Sequence, residues 1–183
     1  MLSVITGVSG SGKSEYAENR AVQLSGGKNL YYVATMEPYG EEGVARIERH
    51  HKLRAGKGFI TIECYRDIGG VVNLIGAERC KEATILLECM SNLLANEMFP
   101  LTEQYIVDRL LSGISCISRQ CRHLIIVTNE VFSEGIDYDE ETIVYIKYLG
   151  SINQKLVEMA DEAIEVVYSV PMLIKDLNTF RRN

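Results

Sequence analysis

Short apolar runs alternate along this chain with longer stretches in which apolar residues recur every three or four positions. Residues 2–6, 30–35, 84–89 and 124–127 are of the first kind, built mainly from Leu, Ile, Val and Tyr, as strands covered on both faces require. Residues 59–64 alternate apolar and polar side chains, and 162–168 form a last core strand. Of the second kind, 15–24 places Ala17, Ala21 and Leu24 on one helical face before Ser25-Gly26-Gly27 stops it. The segment 41–55 sets Val44, Ile47, His51 and Ala55 on an apolar stripe, with Arg46, His50 and Arg54 on a neighbouring face. Residues 67–79 read as one helix through Val71, Val72, Leu74 and Ile75, although Gly69-Gly70 weakens its first turn. Helices also follow over 90–99, 102–121 with Ile106, Leu110, Ile114 and Ile117 inward, and 142–160, with Pro100 as an interruption. Pro171 then turns the chain into a short edge strand at 172–174.

Strand, helix, strand in that order implies right-handed crossovers and a mainly parallel sheet. The expected architecture is a three-layer α/β fold with an antiparallel strand at its C-terminal edge, one domain over residues 1–177. Two segments fall outside the pattern: an acidic, non-periodic loop at 132–141, expected to move, and a basic tail at 178–183, expected to be disordered.

Composition narrows the partners. A net charge of −6 and a pI near 5.2 argue against a general nucleic-acid surface. Five cysteines without a CxxC pair and no secretory leader suit thiols in a reducing cytosol, so a cytoplasmic location is expected. No apolar run approaches the roughly 20 residues of a membrane span.

The chemistry starts at the first turn. Gly7-Val8-Ser9-Gly10-Ser11-Gly12-Lys13-Ser14 follows a strand and opens a helix, which is the phosphate-binding loop pattern. Its glycines let successive backbone N–H groups converge on phosphate oxygens, Lys13 adds a positive charge, and the Ser14 hydroxyl suits Mg²⁺. The strand at 84–89 ends in Glu88 and that at 124–127 leads to Glu130, two acids at the edge where nucleotide-bound Mg²⁺ is held. Glu88 is the first metal-side candidate, and Glu130 could equally cap a strand edge.

Tyr32-Val33-Ala34-Thr35, Arg46-Ile47-x-x-His50-x-x-x-Arg54, Leu86-Leu87-Glu88-Cys89, Val127-Thr128-Asn129-Glu130-Val131 and Leu149-Gly150-x-x-Asn153-Gln154 join the phosphate loop in a fixed order over nearly the whole chain. Together they resemble the bifunctional adenosylcobinamide kinase / adenosylcobinamide-phosphate guanylyltransferase family of cobalamin biosynthesis. The resemblance implies phosphorylation of adenosylcobinamide by ATP or GTP, then transfer of GMP from GTP through a guanylylated histidine, which maps to His50. Arg46 and Arg54 beside it could neutralise a transferring phosphoryl group, whereas His51, on the apolar stripe, reads as a packed core residue. By resemblance and loop chemistry, the nucleotide contacts are Gly7 through Ser14, Ala34, Thr35, Met36, His51, Lys52, Leu53, Arg54, Glu63 and Glu88. The metal ligands are Ser14 and Glu88, the partners a corrinoid and nucleotides, and the assembly a homotrimer. A solvated helix-face histidine at 50 and a solvent-facing Glu63 remain the plainer alternatives.

The sequence also departs from the family. Gly10 stands at the position of an arginine in the loop, Glu88 where Asp is commoner, and Gly135-Ile136-Asp137-Tyr138-Asp139 and the segment after it lack the family's arginines. Two other functions therefore stay open: a P-loop small-molecule kinase or ATPase with no covalent step, and a nucleotide-dependent binding switch moving through 132–141.

Overall fold

The computed structural model describes residues 1–98, 103–131 and 138–177. The interruption expected at Pro100, residues 132–137 of the acidic loop and the basic tail at 178–183 lie outside the described residues.

Seven strands make one sheet: β1 (Leu2–Thr6), β2 (Leu30–Ala34), β3 (Ile60–Glu63), β4 (Thr84–Glu88), β5 (His123–Val127), β6 (Glu162–Val167) and β7 (Val170–Asp176). Their order is β3-β2-β4-β5-β1-β6-β7, with every pair parallel except β6–β7. Both faces of the sheet are covered, which is why the central strands are apolar throughout. Leu2 and Val4 of β1, Ile85 and Leu87 of β4, and Leu124 and Ile126 of β5 pack on one face, beneath α5 (Met90–Glu97), α6 (Glu103–Gln120) and α7 (Glu140–Met159). Ile5, Leu86, Ile125 and Val127 point to the other face and meet Ala17 and Ala21 of α1 (Lys13–Ser25). The two clusters are the two halves of the core.

Register fixes the working edge. Ala34 is paired with Glu63 on one side and Glu88 on the other, and Glu88 with Val127, so four strand ends reach the same level at their carboxyl ends. The loop after β1 opens at that edge between β5 and β6, where ligands of open α/β sheets bind.

Three expectations are corrected. The helix expected over 67–79 is a 3₁₀ turn at Ile68–Gly70, then α3 (Val71–Ile75) and α4 (Ala77–Cys80), broken at Gly76 with φ 88°. The 3₁₀ turn presses on Gly113 of α6, where an added Cβ would come within 2.7 Å of Ile68, so tertiary packing overrides the local helical pattern. At the C-terminal edge, β7 is a full seven-residue strand including Pro171, joined to β6 by a two-residue turn with Tyr168 at φ 50° and Ser169 at φ 64°. That is a hairpin turn with both central residues left-handed, made without the Asn-Gly pair that usually announces it. Finally, in α2 (Gly40–Arg54), His51 is exposed, as is Ala55 just beyond it, so these two members of the stripe read from the sequence do not face the core. α2 lies over the edge of the sheet, and Arg54 is the buried residue among its described side chains.

Candidate functional site

A cleft of about 590 Å³ opens at the carboxyl edge, with the loop after β1 as its floor and α2 as one wall. Gly7 (φ 155°) sits where a Cβ would come within 2.6 Å of both Ser11 Oγ and the Val166 carbonyl. Gly12 (φ 89°) caps α1, and a Cβ there would strike Ser169 at 2.6 Å. Both positions need glycine for backbone freedom and for space. Ser169 N also donates to Ser11 O at 2.8 Å, so the β6–β7 turn supports the loop from its outer side.

Lys13 is buried and donates through Nζ to the Val8 carbonyl of its own loop at 3.0 Å. Burial lowers its pKa, opposed by the nearby Glu88 carboxylate. Ser14, in the first turn of α1, donates through Oγ to Glu88 Oε1 at 2.8 Å, while Glu88 Oε2 is buried without a hydrogen-bond partner. A hydroxyl and a carboxylate with a spare buried acceptor form an oxygen donor set suited to Mg²⁺, which usually takes one or two protein ligands and completes its shell with phosphate and water. Among the described residues no group of three or more His, Cys, Asp or Glu could hold a metal ion, so phosphate oxygens would have to supply the rest.

Burial, only partly offset by the Ser14 hydrogen bond and Lys13, pushes the Glu88 carboxyl up from 4.5 to about 7. A raised folded-state value means the unfolded chain releases this proton between pH 4.5 and 7 while the folded protein keeps it. The stabilisation from protonated Glu88 is complete below pH 4.5 and is lost as pH rises through 7, an interval worth about 3 kcal/mol. Glu88→Gln keeps the acceptor for Ser14 and removes the charge. Scanning calorimetry of the nucleotide-free protein should show its Tm about 6–10 °C above wild type at pH 8 and equal to wild type at pH 4. Equal Tm values at pH 8 would contradict this account of Glu88.

The strand ends are held by a polar scaffold. Thr35 is fully buried: its Oγ1 donates to Cys89 O at 2.8 Å and accepts from Cys89 N at 2.7 Å, so it braces the segment after Glu88 and does not line the cleft. Asn96 Nδ2 donates to the carbonyls of Thr35 and Tyr65, Thr128 Oγ1 donates to Asn153 Oδ1, and Asn153 Nδ2 donates to Asn129 O. Asn153, prominent in the sequence motif, thus fixes the end of β5.

On the α2 wall, His50 and His51 both face the cleft, with Arg49 and the buried Arg54. The side chains of Arg46 and Leu53 lie outside those described, and Lys52 is exposed and away from the cleft. Ala34, Met36, Glu63 and Glu88 at or near the strand ends also line the cleft, and Tyr65 donates its hydroxyl proton to Glu63 at 2.9 Å. Ser9 through Ser14 line the floor, whereas Gly7 and Val8 only support it. Asn129 reaches the cleft, and Glu130 is tied through its backbone N–H to Gly7 O at 3.2 Å. Tyr32, Tyr65, Asn92, Asn129 and Ser169 also line the cleft; Tyr32 and Asn129 stand in motifs that carry the family resemblance without a site role expected of them, and Tyr65, Asn92 and Ser169 stand in no recognisable catalytic pattern. The carboxyl-edge position of Asn129, beside Glu130, is the physical signal for its place in the cleft.

The sequence model of the family described as cobinamide kinase / cobinamide phosphate guanyltransferase (CobU) matches residues 3–174. The chain is 29% identical to the bifunctional adenosylcobalamin biosynthesis protein CobU of Salmonella typhimurium, over 96% of this chain and all of that protein. It is 28% identical to the protein of the same name from Escherichia coli, with the same coverage. Among solved structures, flagellar accessory protein FlaH from Methanocaldococcus jannaschii is similar with a TM-score of 0.54 at 16% identity, covering 96% of this chain and 78% of that one. The ATP synthase subunit NeqB from Nanoarcheaum equitans gives 0.55 at 11% identity, covering 90% and 45%. These two likenesses bear on the fold alone, which is of the P-loop NTPase type.

Proposed function

The chain belongs to the cobinamide kinase / cobinamide phosphate guanyltransferase family, and from that membership we propose that it catalyses both reactions of adenosylcobinamide activation in the cleft at the carboxyl edge of the sheet. In the first, the aminopropanol hydroxyl oxygen of adenosylcobinamide attacks the γ-phosphorus of a nucleoside triphosphate; the hydroxyl proton is released and a nucleoside diphosphate leaves. In the second, a ring nitrogen of His50 attacks the α-phosphorus of GTP and pyrophosphate leaves. A phosphate oxygen of adenosylcobinamide phosphate then attacks the histidine-bound phosphorus, forming a P–O–P bond and freeing the imidazole.

The observation that carries this reading is that His50 and the Lys13–Ser14 pair line the same cleft. Lys13 would balance charge on the transferring and leaving phosphates, worth most in a site screened from water. Ser14 and Glu88 would hold Mg²⁺, which supplies further neutralisation at the phosphate oxygens. Arg54 contributes positive charge on the same wall, and Glu63, which also lines the cleft, would accept a hydrogen bond from a nucleotide. The test is product identification. Adenosylcobinamide with ATP should yield adenosylcobinamide phosphate, and further addition of GTP should yield adenosylcobinamide-GDP with release of pyrophosphate. Nucleotide hydrolysis without a corrinoid product would favour the switch, and phosphorylation without guanylylation the plain kinase.

We place the protein in the cytosol and assign it a homotrimeric assembly. All five cysteines are free, and among the described residues no helix is long and apolar enough to cross a membrane. Edge strand β7 leaves Val170, Met172 and Ile174 half or more exposed, a row suited to burial against other copies of the chain. Ile174→Asp is expected to convert the trimer to monomer in analytical ultracentrifugation; an unchanged sedimentation coefficient would put the interface elsewhere.

A further inference from the structure

The wall that carries His50 has few buried side chains among those described. Among the described side chains of α2 only Arg54 is buried, and Ile47 is half-buried. The C-terminal end of this helix is held by charged side chains. The Arg54 guanidinium lies 4.1 Å from the centre of the Tyr32 ring on β2, and Phe59 meets that ring edge-on at 5.9 Å and 83°. Just beyond the helix, Lys57 donates through Nζ to Glu18 Oε2 at 2.8 Å, and the Glu18 carboxylate is wholly buried on α1. Neither Glu18 nor Lys57 lines the cleft.

The positions of these contacts are what give them meaning. Glu18 stands one helical turn beyond Ser14 on α1, and Arg54 one turn beyond His50 on α2. The helix start that would receive phosphates and the helix end that carries the histidine are each anchored one turn away from the chemistry. Lys57–Glu18 ties the two to each other, and Arg54–Tyr32 ties the second to the sheet. Stability alone accounts poorly for this pair. Burying a carboxylate costs several kcal/mol, apolar replacements of such pairs are often neutral or stabilising, and the second oxygen of Glu18 is buried with no hydrogen-bond partner.

We infer that the Glu18–Lys57 pair is a positioning device for guanylyl transfer, setting the distance between His50 and the phosphates held by Lys13 and Ser14. The inference rests on the reading of His50 as the nucleophile. In-line attack on the α-phosphorus is sensitive to misplacement on the order of 1 Å, which can cost about 100-fold in rate. Phosphorylation of the corrinoid hydroxyl takes no nucleophile from α2, and Arg54, which lines the cleft, keeps its own anchor on Tyr32. Loosening this anchor therefore affects one activity and spares the other.

The experiment compares Lys57→Met, the double variant Glu18→Gln/Lys57→Met, which leaves no unpaired buried charge, and Lys57→Arg. For each, the single-turnover rate of GMP–protein formation is measured across GTP concentrations, together with the kinase rate on adenosylcobinamide with ATP and the Tm. The expected result is adduct formation slowed about 10- to 100-fold at saturating GTP in both methionine variants, with the half-saturating GTP concentration unchanged. The kinase rate should stay within about twofold of wild type, and Lys57→Arg should recover most of the lost rate. A parallel loss of both activities would show a merely structural pair. An unchanged adduct rate in the folded double variant would overturn the inference while leaving His50 in place. Absence of an adduct in wild type would instead remove the nucleophile reading, and this inference with it.

Discussion

Lys13→Met is expected to lower both the kcat/KM of the kinase reaction and the rate of protein guanylylation by about 10³-fold each. The side chain keeps its length and loses its charge, and a buried charge acts strongly on phosphates through a low dielectric. Arg54 is the other buried cation of the cleft, and its guanidinium lies against Tyr32. Nζ donates to the Val8 carbonyl of its own loop at 3.0 Å, and burial depresses its pKa, a cost that an anion bound beside it would offset. For the same reason the variant should fold with near wild-type stability, because it removes a cation that is costly to bury. Steady-state kinase assays and single-turnover guanylylation, run side by side with calorimetry, check the prediction. Loss of one activity alone would mean that the two reactions do not share the phosphate loop.

His50→Asn separates the halves in the opposite sense. Guanylyl transfer should fall by at least about 10⁴-fold, since the nucleophile itself is gone, whereas corrinoid phosphorylation should persist within a few-fold. His51→Asn is the control. It is one residue along the same helix, exposed and also at the cleft, so it should lose only a few-fold in either reaction. The assay is conversion of adenosylcobinamide to its phosphate and then to its GDP derivative. Equal losses in the two histidine variants would argue against a unique nucleophile.

Much of this architecture was legible in the sequence because its signals are local. Buried parallel strands leave apolar runs, and β1 with its loop and α1 forms a pattern in which each residue has a separate task. The Ser14–Glu88 contact could be expected from chemistry alone, one residue opening a helix and the other ending a strand, and the structure brings them to 2.8 Å. Other features depend on contacts between distant segments and left no local sign. The break at Gly76 and the 3₁₀ turn before it answer to the close approach of Gly113, and the Tyr168-Ser169 turn is set by strand pairing and by support from the phosphate loop. The stripe through Val44, Ile47, His51 and Ala55 misled because periodicity identifies a helix without saying what covers it. Here α2 walls a cleft, so His51 and Ala55 meet solvent, and a cationic residue, Arg54, takes the buried position. The Glu18–Lys57 pair joins residues 39 apart in sequence, and no periodicity reports such a contact.

The most direct test of the central claim is the intact mass of the protein after incubation with GTP and Mg²⁺, for wild type, His50→Ala and His51→Ala. The predicted result is a gain of one GMP in wild type and in His51→Ala, stable to base and lost in acid, and no gain in His50→Ala. Wild-type protein that binds GTP and gains no mass, or an adduct that persists in His50→Ala, would contradict it.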